Sequence, residues 1–145
     1  MGSNSANKDL LARAWAAYDK GDEAGFVACL TPDWKEHDLL GNTGDLADER
    51  RTMREHRVAF PDKHTEIVRM VADDEYVACE CVVTATHSGK YLDLDPTGKR
   101  VMMHEMMINR VRDGRLAETW AVVVEPGFYE QLAGRSPPKG LDNMG

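Results

Sequence analysis

The chain is poor in the residues that would mark it as a disulfide scaffold, a polyanion binder or a membrane protein. Cys29, Cys79 and Cys81 are the three cysteines in 145 residues, so they cannot all pair. Cys79 and Cys81 stand two apart in an alternating apolar run and would share one face of a strand rather than curl around a metal. An apolar strand also lacks the electropositive surroundings that a reactive thiolate requires, so all three read as buried free thiols. Basic residues number 18 against 25 acidic ones, and the net charge of −7 excludes the clustered Lys and Arg that nucleic acid demands. No apolar run approaches the ~20 residues of a membrane helix. The opening Met1-Gly2-Ser3-Asn4-Ser5 lacks the basic-then-apolar order of a signal peptide, and a cytoplasmic location is the expectation. The five histidines show neither His-x-x-x-His nor Glu-x-x-His spacing, so no metal site is expected.

What is present fits one domain over residues 1–133 with a coreless tail over 134–145. The 42% apolar content suffices for a single closed core. Leu11, Trp15 and Tyr18 lie at helical spacing between Asn7 and Lys20, with Gly21 as a stop. Asp22 caps a second helix carrying Phe26, Val27 and Leu30, which ends at Thr31-Pro32. A loop at Gly41-Asn42-Thr43-Gly44 precedes a third helix from Asp45 to Phe60, closed by Pro61, with His56 on its inward stripe. From Lys63 the period changes to two: runs at Ile67–Val71, Val77–Ala85, Arg100–Val111 and Leu116–Val124 read as strands. Asp113-Gly114 is a hairpin turn signal between the last two. A short helix is expected after Pro126, through Phe128, Tyr129 and Leu132. Helices followed by a long antiparallel meander predict an α+β domain: a cone in which a strongly curved, mainly antiparallel sheet wraps around three N-terminal helices and leaves a pocket between them.

Several segments, in order, resemble signatures of the SnoaL-like polyketide cyclases. These are Trp34-Lys35-Glu36-His37-Asp38, Phe60-Pro61-Asp62, His87-Ser88-Gly89, Pro96-Thr97-Gly98-Lys99-Arg100 and the run Arg110 to Trp120. The likeness spans roughly Leu10 to Leu132 and implies the cone-shaped fold of the nuclear-transport-factor-2-like superfamily, in a homo-oligomer (dimer or tetramer) joined through sheet faces. It implies chemistry without cofactor or metal: an intramolecular aldol closure, in which a proton next to one carbonyl is removed and the enolate attacks another.

The family's acid/base is an Asp directly after the strand Trp, and a His or Asp lies on the preceding strand. Here those places hold Ala121 and Met107, with Thr119 before Trp120 where the family has a His. If Met107 faces the pocket, as the resemblance implies, period two turns Met103, Glu105 and Asn109 inward as well, and sends His104 to the opposite face. Glu105, among apolar neighbours, becomes the substitute carboxylate, its charged form disfavoured by burial. His37 is the second catalytic candidate, oriented by Glu36, while Trp15, Trp34, His56, Phe60, Met103, Met107, Thr119 and Ala121 are the expected walls for an apolar small molecule. His87 is expected to support the turn at Ser88-Gly89. The leading expectation is cyclase- or isomerase-type proton abstraction on a polyketide-like carbonyl compound. Ala121 and Met107 motivate an alternative, a non-catalytic binding protein for an apolar metabolite. Epoxide hydrolysis, which needs a carboxylate pair bridged by an arginine, ranks third.

Overall fold

A computed structural model of the chain describes residues 4–124 and 126–136. Most of the expected tail, from 137 onward, and the first three residues lie outside these. Four helices and six strands follow in the order α1 (Asn4–Lys20), α2 (Glu23–Ala28), β1 (Leu30–His37), β2 (Thr43–Asp45), α3 (Leu46–Ala59), β3 (His64–Ala72), β4 (Tyr76–Thr86), β5 (Arg100–Arg112), β6 (Arg115–Val123) and α4 (Phe128–Ala133).

Local chemistry accounts for most boundaries. Gly21 adopts φ +70° after α1, where a side chain would be strained. The Asp22 side chain accepts from Gly25 N (2.9 Å) at the start of α2, and Asp45 and Asp48 form a reciprocal capping box at the start of α3. Asp113 and Gly114 both take positive φ (53° and 73°), the conformation of a tight turn between β5 and β6.

One sheet holds all six strands in the order β2-β1-β6-β5-β4-β3. Pairing is antiparallel except between β1 and β6, which run parallel. The α+β fold class follows the sequence pattern, with one correction. The second helix stops at Ala28, and Leu30 and Thr31-Pro32, read as its end, begin strand β1. Pro32 cannot donate to a ladder, and the β1–β6 register slips between Leu30 and Lys35, where it sits. That irregularity hides the strand from a periodicity reading. Similarly, the expected loop at residues 41–44 contributes Thr43 and Gly44 to the edge strand β2.

Two apolar clusters fill the interior. The first joins Leu11, Tyr18, Phe26 and Trp34 to Cys79, Cys81 and Met107; the second joins Phe60, Tyr91, Val101 and Phe128. Gly89 passes so close to α3 that an added Cβ would stand 2.0 Å from the Val58 carbonyl oxygen. His87 is fully buried beside it; its Nδ1 accepts from Thr97 N (3.2 Å), tying the 87–99 connection together. Among the described residues no helix is long and apolar enough to cross a membrane.

Candidate active site

The alternation of β5 determines what faces the interior. Met103, Glu105, Met107 and Asn109 are buried, whereas Met102, His104, Met106 and Ile108 between them are exposed. The buried set lines a cavity closed by Trp15 and Tyr18 of α1, Trp34 and Glu36 of β1, and Glu49, Thr52 and His56 of α3. Lys63, just before β3, and Thr119 and Ala121 of β6 complete it. The inner chamber has room for only about 60 Å³, but it adjoins an outer groove of about 670 Å³ between the β1–β2 turn, α3 and α4. Glu36, Glu49, Thr52 and Ala121 line both spaces and form the throat between them. The chamber alone is too small for a polycyclic molecule, so a large ligand would fill the groove and insert one end.

The charged groups of the chamber are arranged against each other. Burial pushes the Glu105 carboxyl above its usual range; Lys63 opposes that shift and Glu49 reinforces it. Lys63 holds its ammonium 4.1 Å from the centre of the Tyr18 ring and 5.8 Å from that of Trp15. Burial lowers its pKa, while Glu105, Asp19 and Glu49 pull the other way. Glu36 and Glu49 line the same throat and act on each other's ionisation. Burial, then repulsion from Glu49 and Glu105, moves Glu36 up to about 9, so it carries a proton at neutral pH. Burial also raises Glu49, opposed by Lys63, by Tyr18 and by Glu36. His56 is 4% exposed, and neither ring nitrogen has a hydrogen-bond partner among the described residues. Burial, with Lys63 nearby, lowers its pKa to about 3, so the ring is neutral.

Of the residues singled out from sequence, Glu105, Met103, Met107, Trp15, Trp34, His56, Thr119 and Ala121 line the chamber. The polar atoms of Trp34 and Thr119 are committed internally: Trp34 Nε1 donates to Thr119 Oγ1 (3.1 Å), which donates to Asn109 Oδ1 (2.7 Å). Two expectations need correction. His37 lies on the outer face of the sheet, stacked on Trp120 and 2.9 Å from Glu118, which also pairs with Arg110. Trp34 and Glu36 face inward on β1, so period two sends His37 outward. Phe60 belongs to the second apolar cluster and supports the His56 ring edge-on at 5.8 Å without lining the chamber.

Sequence reasoning treated Glu36 only as a neighbour of His37 and overlooked Glu49, Lys63 and Tyr18 as site groups. Glu49 was within reach: it lies seven residues, two helical turns, before His56 on the same face of α3. Glu36 required β1 to be seen as a strand.

The raised Glu36 has a consequence for stability. The unfolded chain loses this proton near 4.5 and the folded chain keeps it to about 9, so folding stability falls as pH rises through that window. Glu36→Gln removes the effect. Stability of the variant relative to wild type should therefore climb between pH about 4.5 and about 9 and level off outside, read from denaturant unfolding across pH. Parallel curves would contradict the assignment.

No curated protein sequence matches the chain. Among solved structures it is similar to AclR of Streptomyces galilaeus, a candidate hydroxylase, at 30% identity and a TM-score of 0.84, covering 94% of this chain and 87% of AclR. It is also similar to IdmH of Streptomyces antibioticus, a candidate polyketide cyclase, at 26% identity and a TM-score of 0.75 over 87% of this chain and 97% of IdmH. A candidate polyketide cyclase from Acidithiobacillus ferrooxidans follows at 25% identity and a TM-score of 0.76, over 94% of this chain and 100% of its own. The family model of the SnoaL-like polyketide cyclases matches residues 8–132, which takes in every strand of the sheet and the chamber it encloses, and the chain belongs to that family.

Proposed function

We propose that the protein is a cofactor-independent enzyme that abstracts a proton next to a carbonyl of an apolar, polyketide-like compound, with Glu105 as the base. The observation that carries this reading is a carboxylate buried among Met103, Met107 and Ala121 with Lys63 as the nearby cation. Burial strengthens Glu105 as a base, and Lys63 favours its ionised form. The carbon-bound proton passes to Glu105, the electron pair moves into the carbonyl, and the enolate is protected from bulk water by the apolar walls. His56, neutral and with neither nitrogen partnered among the described residues, offers a hydrogen bond to the substrate oxygen. The methionines at 103 and 107 adapt to an irregular apolar surface.

The 30% identity to the candidate hydroxylase AclR favours a second reading, in which the same carbanion meets an external oxidant instead of a second carbonyl. Epoxide hydrolysis gains little support, because the cation of the inner chamber is a lysine, not the arginine that would bridge two carboxylates.

We also propose a homo-oligomer joined through the outer sheet face. Met102, Met106, Ile108 and Val122 are 53%, 58%, 50% and 40% exposed there. An apolar patch of this kind on a sheet face marks an interface.

The catalytic reading is tested by deuterium exchange into α-tetralone, a bicyclic ketone, in heavy water. Wild type should accelerate exchange and Glu105→Gln should lose about 100-fold or more while melting as wild type does. Undiminished exchange in the variant would remove Glu105 as the base. A wild type that binds the ketone without exchange would instead be a carrier. For the interface, sedimentation of Met106→Glu/Ile108→Glu should show a folded monomer where wild type is oligomeric; an unchanged assembly would place the interface elsewhere.

A further inference from the structure

The throat between chamber and groove holds a second pair of carboxyls that proton abstraction by Glu105 leaves unused. Glu36 comes from β1, opposite Thr119 in the β1–β6 register, and Glu49 comes from the first turn of the facing helix α3. Both glutamates line the two spaces at once, each acts on the other's ionisation, and Tyr18 lines the chamber side and acts on that of Glu49. A ligand long enough to fill the groove and reach Glu105 has to pass between them. The same chamber contains His56, nine-tenths buried and more, with both ring nitrogens unpartnered among the described residues. A polar ring in that state marks where a ligand oxygen belongs.

We propose that the Glu36–Glu49 pair is the proton donor of the reaction, delivering a proton to the oxygen of the carbonyl whose carbon the enolate attacks. The proposal rests on the reading of Glu105 as the base and names its counterpart. The balance is as follows. The C–H bond next to the first carbonyl breaks and its proton goes to the Glu105 carboxylate. The enolate carbon forms a C–C bond to the second carbonyl carbon, the π electrons of that carbonyl move to its oxygen, and this oxygen takes the proton of Glu36. The pair is then doubly ionised and Glu105 is neutral, and one proton returning from Glu105 to the pair restores the starting state. No external reactant is consumed.

The groups facing this proton are Glu49, Glu105 and Asp38 around Glu36, and Lys63, Tyr18 and Asp48 around Glu49. The carboxylates make the second negative charge on the pair costly, and Lys63 and Tyr18 stabilise the one on Glu49. A donor so arranged gives up its proton readily only when a stronger base, a forming alkoxide, arrives. Ala121 opens onto the same throat from β6, the strand beside β1, so an aspartate there would project toward the position Glu36 serves.

The test uses a fluorogenic naphthyl β-hydroxy ketone, whose retro-aldol cleavage is the same proton exchange run backwards. Glu36→Gln should lower kcat/KM by about 100-fold and abolish the alkaline limb near pH about 9 that wild type shows. Ala121→Asp introduced into Glu36→Gln should recover about tenfold or more of the lost rate. With a merely structural role for Glu36, the alkaline limb would stay in place and a carboxyl supplied from position 121 would restore no rate. Wild-type cleavage rates in Glu36→Gln, or an alkaline limb that persists in its residual activity, would overturn the proposal while leaving Glu105 as the base. If wild type instead fails both this cleavage and α-tetralone exchange, the underlying reading falls and the proposal with it.

Discussion

The enclosure of Glu105 with Lys63 in one small apolar chamber is the interaction around which this molecule is organised. Neither charge is tolerable there alone: each is shifted by burial toward its neutral form and held back by the other. Each thereby favours the charged form that burial disfavours in the other. Everything else in the chamber adds to this pair. The Tyr18 and Trp15 rings flank the ammonium, Glu49 acts on it from α3, and Met107 of the first core cluster and Met103 of the second stand on either side of Glu105 along β5.

The constraint reaches back into the fold through strand alternation. A thirteen-residue strand that places Glu105 inward must place His104 and Met106 outward, so one sequence feature produces both the lining of the inner chamber and the exposed methionines of the outer face. The same alternation on the parallel strand β1 delivers Glu36 to the throat and removes His37 to a cluster with Glu118, Arg110 and Trp120. Ala121 of β6 and Glu36 of the neighbouring β1 thus open onto the same space.

Legibility from sequence followed the strength of the periodic signal. The runs of β4, β5 and β6 alternate cleanly, and with the Asp113-Gly114 turn they made the meander readable; the family resemblance, which implies Met107 inward, was needed to tell that Met103, Glu105 and Asn109 share its face. Strand β1 was illegible because Pro32 interrupts its ladder and Leu30 continues the apolar spacing of α2, so Glu36 and His37 could not be assigned to opposite faces. Lys63 and Tyr18 escaped for a different reason. Each is an ordinary residue locally, a lysine after a helix and a tyrosine on an apolar stripe, and only tertiary packing brings them against Glu49 and Glu105.

The central claim is that Glu105 is a buried carboxylate electrostatically coupled to Lys63. It is tested most directly by carbon-13 NMR titration of glutamate-labelled protein, with the Glu105 resonance identified by its absence in Glu105→Gln. The account predicts a midpoint above the ordinary 4.5 in wild type and a higher one in Lys63→Met, where the opposing cation is gone. A midpoint at the ordinary value, indifferent to Lys63, would mean a solvated carboxylate and would contradict it.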